Sequence, residues 1–120
     1  MPRGVDRATH PATILEGASI SDTVDLMHYD FVAVQMPAAW TAASLSFECS
    51  TEVAGPFTPV EDSGGTEVTY TVEASKWVIV NTAHWHGFGR FLRLRSGTSA
   101  AAVNQLADRT LLVIGSSVVG

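Results

Sequence analysis

"SLSFECS", residues 44–50, sets Leu45, Phe47 and Cys49 against Ser44, Ser46, Glu48 and Ser50 in strict alternation. A period of two marks a strand, because successive side chains leave a pleated backbone on opposite sides. One apolar and one polar side predicts an antiparallel strand with a buried face and a wet face. "TEVTYTVE" (66–73) repeats the pattern, with Val68, Tyr70 and Val72 alternating with Glu67, Thr69, Thr71 and Glu73. "DTVDLM" (22–27) is a shorter version with Val24 and Leu26 inward.

Working outward, "FVAVQM" (31–36) and "TLLVIG" (110–115) are apolar on both faces. They predict strands covered on two sides, by a neighbouring layer or by a partner chain. Turn signals separate the runs: "EGAS" at 16–19, "VAGPFTP" at 53–59, "DSGG" at 62–65 and "SGTSAA" at 96–101. Eight or nine short strands at this spacing indicate an all-β sandwich or small barrel. Helix is scarce: "PAAWTAA" (37–43) suits one helical turn or a bulge, and "AAAVNQLAD" (100–108) one short helix. Residues 1–12, with Pro2, Gly4, Pro11 and no periodicity, read as an extended N-terminal arm ahead of a single domain over 13–120.

The 120 residues suit one domain, and 46% hydrophobic content with 16% charge is that of a globular chain. A formal net charge of −5 argues against a general nucleic-acid or membrane-surface binder. Cys49 is alone, which excludes an internal disulfide and a multi-cysteine zinc site. The opening "MPRGVDRATHPATILEGA" has no continuous apolar run, so no secretory signal is expected, and no stretch is apolar enough to span a membrane.

The densest chemistry lies in "NTAHWHGFGRFLRLRSG", 81–97. His84 and His86 would share a face on a strand, but a zinc site needs three or four ligands, so no metal is expected. The chain has no nucleophile elbow, no zinc-protease motif and no phosphate loop, and no cofactor or catalytic residue is assigned. Cys49 falls on the inward side of its strand, where a thiol acts as a small hydrophobe. Glu61 and Asp62 sit beside turn glycines, where carboxylates cap backbone amides or face solvent. Trp40 reads as a plug at one end or an interface residue, and Trp77 as partly buried. Trp85, with Phe88 beside it, folds over the core as a lid or stands out as an aromatic contact.

In "RFLRLRSG", Leu92 and Leu94 face one way, while Phe91, Arg93 and Arg95 face the other. Two arginines on one face repel unless carboxylates answer them. Either neighbouring strands supply these, from Glu67 and Glu73 or Asp25 and Glu48, or a partner does.

"LSFECSTEVAGPFTPVED" (45–62) and "GRFLRLRSG" (89–97) resemble steps of discoidin-like, galactose-binding-like jelly rolls. Over about residues 13–115, and most of all in "QMPAAWTAASL" and "RSGTSAAAVNQLADR", the chain resembles small structural proteins of tailed-phage and prophage particles. The resemblance implies a jelly-roll β-sandwich and a non-enzymatic virion component assembled in the host cytoplasm. A capsid decoration protein is the leading role, with a head fibre or tail-associated module beside it. Implied partners are major capsid or head–tail and tail subunits, with homo-oligomers on the particle, and no nucleic acid or membrane. "SSVVG" (116–120) is a candidate edge strand for a neighbour or a frayed tail. The alternative is a carbohydrate-binding module with His84, Trp85, His86, Arg93 and Arg95 as its platform, and Phe88 completing the candidate contact set.

Overall fold

The computed structural model describes residues 4–81 and 89–119. Its strands are β1 (Gly4–Ile14), β2 (Val24–Asp25), β3 (Asp30–Gln35), β4 (Leu45–Ser50), β5 (Thr58–Pro59), β6 (Trp77–Ile79), β7 (Phe91–Ser96) and β8 (Arg109–Val119). They form two four-stranded sheets, ordered β1-β8-β3-β6 and β2-β7-β4-β5, and every pairing is antiparallel. The pairs β1–β8, β2–β7, β3–β6 and β4–β5 are those of one long hairpin wound around a barrel axis. That winding is the jelly roll, and the fold is an all-β sandwich as the alternation predicts.

The core lies between the sheets. Ala12 and Ile14 of β1, Leu111 and Val113 of β8, and Phe31, Val34 and Met36 on and beyond β3 face Leu45 and Phe47 of β4 and Leu92 and Leu94 of β7. Phe31 meets Phe47 edge to face across the two sheets, with ring centroids 5.5 Å apart, and Tyr70 flanks Phe47 at 5.8 Å. Phe31 and Val34 are an odd number of residues apart yet both are buried. A bulge between Phe31 and Ala33 in the pairing with β8 absorbs the extra residue and keeps both side chains inward.

The N-terminal arm is extended, but from Gly4 it is a full strand in register with β8, Gly4 opposite Val119 through Ile14 opposite Arg109. Pro11 hides this from a reading by periodicity. β1 is an edge strand, and the N–H of Thr13, two residues on, points away from β8 to the Asp22 carboxylate (2.8 Å). Pro11 shares that parity, so its missing donor costs the ladder nothing. The "SSVV" segment is therefore already paired within the chain.

Three expectations change. Residues 100–108 form no helix; the backbone of Gln105 bonds instead to Gly17 and Ala18, and Val103 N–H donates to Ser96. Residues 66–73 keep their alternation, with Val68 and Val72 buried, but make only isolated bridges, Glu61–Glu67 and Leu45–Tyr70. "PAAWTAA" is irregular; Trp40 packs on the core and donates its indole N–H to Ala43 O (3.1 Å). Asp62 caps its turn as expected, accepting from the N–H groups of Gly64 (2.9 Å) and Thr66 (3.0 Å).

Candidate functional site

The two outer faces of the sandwich reverse their sequence signatures. On the β2-β7-β4-β5 sheet, the serine and glutamate side of β4 is dry: Ser46, Glu48 and Ser50 are all buried. The segments after β4 and β7 cover it. Ser46 Oγ donates to Gly97 O (2.7 Å), and Gly97 takes a positive φ of 89°. A Cβ there would collide with the backbone of Ala101, so the covering turn requires glycine.

Beneath that cover the arginines of β7 find their carboxylates. Arg95, 6% exposed, lies 2.8 Å from Glu48 and 3.3 Å from Glu67. Glu67 also accepts the backbone N–H of Ser99 at 3.1 Å. Arg93 stands directly opposite Glu48 in register and reaches it at 3.6 Å. It also donates to Thr23 Oγ1 (3.1 Å) and lies over the ring of Phe57, 3.8 Å from its centroid. Arg90 makes a two-pronged bond to Asp25 at 2.6 and 2.8 Å. Three of the four carboxylates named from the sequence are thus used, and Glu73 is not among the ion pairs of the described residues.

Of the candidate contact residues, Arg95 is enclosed by its partners and Arg93 shows only one side. His84, Trp85, His86 and Phe88 lie outside the described residues. An open cleft of about 380 Å³ runs beside Cys49, Ser50, Gly55 and Gly89. Burial pushes the Cys49 thiol up, as does the nearby Glu48 charge, against the pull of the Gly89 backbone. A thiol held neutral is a poor nucleophile. Among the described residues no group of three or more His, Cys, Asp or Glu could hold a metal ion.

The β1-β8-β3-β6 sheet presents the opposite surface. Antiparallel register puts cross-strand partners on one face, which makes its outer side a grid. One row runs Thr9, Ile114, Ala33, Ile79; the next runs Pro11, Leu112, Gln35, Trp77. Neither row carries a charge. Trp77 is 57% exposed and Ile79 75% exposed, so Trp77 is a surface residue and not the partly buried one its sequence setting predicts. Beside them a shallow open groove of about 430 Å³ crosses the sheet over Ala33 and Ile114 to Arg7 and Ser116. β6 is also an edge strand. The bonds Met36 N–H to Lys76 O and Val80 N–H to Val32 O fix its parity. Trp77 and Ile79 therefore turn their own N–H and C=O groups to the side on which no described strand pairs.

No single residue marks this surface in the sequence. The signal was the two-sided apolarity of "FVAVQM" and "TLLVIG", whose strands are the two central ones of this sheet. Comparison with known protein families, curated proteins and solved structures finds no match for the chain.

Proposed function

We propose that the chain is a non-enzymatic structural module that binds other protein subunits through the outer face of the β1-β8-β3-β6 sheet. Following the sequence resemblance, those subunits are capsid or tail proteins of a tailed-phage particle, and the leading role is capsid decoration. The observation that carries this reading is the uncharged grid ending in exposed Trp77 and Ile79 on β6, whose outer edge no described strand pairs. A soluble domain ordinarily guards such an edge with charge, proline or cover. Leaving it apolar on both face and edge suits a surface that is covered in an assembly.

The mechanism is area burial. Fully burying a large apolar side chain is worth about 1.5–3 kcal/mol, against an association cost of about 4–15 kcal/mol. Two such anchors therefore give a weak contact alone and a firm one when many copies dock on a repeating lattice. The other outer face supports the same reading, because its arginine network holds the covering loops rigid without needing a ligand.

Quantitative mass spectrometry of purified particles from the encoding genome tests it. The expected result is a copy number tied to lattice symmetry: hundreds per particle for decoration, a dozen or fewer for a connector or tail position. Absence from mature particles overturns the proposal.

A further inference from the structure

The groove across the apolar sheet also constrains the chemistry of its partner. Arg7 on β1 stands at one end, its guanidinium donating to Ser116 Oγ at 2.7 Å. No carboxylate among the described residues lies within ion-pair distance of it, whereas Arg90, Arg93 and Arg95 each have one. Asp30 sits two strands away in the same row, opposite Ser116. The middle of the groove is a dip. Ala33 is the small residue between Ile79 and Ile114, and its own side chain fills little of the space between those larger neighbours.

Strands lie about 4.8 Å apart, so Ile79 and Ile114 are about 10 Å apart across the dip. A helix with side chains is about 10–12 Å across and rides above such a gap, whereas an extended chain enters it. Arg7 lies two strands across and one row along from Ala33, about 10 Å by about 7 Å. The diagonal of about 12 Å is close to four residues of extended chain at about 3.3 Å each, a separation that keeps both side chains on one face.

We propose that the groove receives an extended segment of another protein subunit, with a large apolar side chain over Ala33 and, four residues on, a carboxylate on Arg7. This rests on the assembly reading above and names the chemistry of the partner it requires. The apolar residue supplies the burial, and the carboxylate fixes register and polarity, since the reversed segment would leave Arg7 unanswered.

The test is a titration of the ¹⁵N-labelled chain with a capped octapeptide of serine and threonine carrying one leucine and, four positions later, one aspartate. The expected result is saturable shifts at Ala33, Ile114 and the Arg7 side chain, with a Kd of about 1 mM for so short a probe. Arg7→Gln, or asparagine for aspartate in the peptide, weakens binding about three- to fivefold, the value of a partly exposed ion pair. Ile79→Ser, at an exposed position, weakens it without touching the ion pair. Three results overturn the proposal: no saturable shift; equal binding by the Arg7→Gln chain or the asparagine peptide; or shifts of the same resonances on concentrating the chain alone, which assign the face to a second copy. Any of these leaves particle stoichiometry standing, while absence from particles removes the assembly reading whatever the peptide does.

Discussion

Gln105 pairs with the backbone of Thr41 as a neighbouring strand would, although 64 residues separate them. Its Oε1 accepts the Thr41 N–H at 2.9 Å and its Nε2 donates to Thr41 O at 3.0 Å. The remaining donor goes to Ser96 Oγ at 2.7 Å, and Arg109 Nε donates to Oε1 at 3.1 Å. A fully buried amide has every hydrogen-bonding position filled. Its main chain bonds the 15–18 turn as well, so one residue joins four segments at this end of the sandwich.

Replacing that amide by a side chain of similar size without hydrogen bonds leaves the Thr41 N–H and C=O without their partner. Each buried group so stranded costs about 1–3 kcal/mol. Gln105→Leu is therefore expected to lose about 2–5 kcal/mol, read as a fall in the urea midpoint at unchanged slope. Gln105→Ser, which leaves a cavity that water can enter, should lose less of the bonding and more of the packing. A Gln105→Leu chain as stable as the native one would show that the pairing is ornamental.

The Arg95 network makes a second prediction. Removing one member of a buried ion pair costs about 3–5 kcal/mol, because the other charge is left buried and unanswered. Arg95→Met leaves Glu48 with only the longer Arg93 contact at 3.6 Å and takes from Glu67 its Arg95 partner. Adding Glu48→Met removes one of these two weakly answered charges, so the double variant should be more stable than Arg95→Met alone. Urea unfolding of the full cycle checks this, and a strictly additive cycle would contradict the geometry.

The pair at the rim behaves differently with pH. The Arg90 hydrogen bond holds the Asp25 carboxyl below its ordinary value of 3.8; slight burial opposes it and the Met27 N–H assists. A carboxyl with a lowered native pKa stabilises the fold above the unfolded value, and that contribution is lost as pH falls through the native one. Asp25→Asn should thus be less stable than the native chain at neutral pH, with the gap closing as pH falls below the ordinary value of 3.8. Both side chains are well exposed, so added salt should narrow the gap at neutral pH too.

Cys49 gives a fourth. Burial raises its pKa, and the thiolate is the reactive form. Alkylation by iodoacetamide at pH 8 should run slower in the folded chain than in urea, and should accelerate with pH beyond the range of a free thiol. Equal rates folded and unfolded would place the sulfur in solvent.

Much of the fold could be read from residues in order. The alternation in "SLSFECS" and "RFLRLR" fixed which side chains face the core, and Leu45, Phe47, Leu92 and Leu94 are all fully buried. The acidic answers to the arginines were also legible, because opposite charges on neighbouring strands attract. The 100–108 segment was not. Its alanines favour a helix locally, but Gln105 makes more bonds as a tertiary clasp than a helical turn would give it. β1 was hidden because an edge strand with Pro11 needs neither alternation nor every N–H.

The sequence by itself determined an all-β chain, the inward positions of its central strands and the charges that would seek each other. Period-two patterning says that the two faces of a strand differ, but not which of them meets water. Only the tertiary structure decided that, through contacts between residues far apart in the chain. The 51–73 and 96–103 segments fold over the serine and glutamate face of β4 and dry it, while the β1-β8-β3-β6 sheet keeps Trp77 and Ile79 in solvent. Which apolar side chains stay in solvent was therefore set by where the loops went.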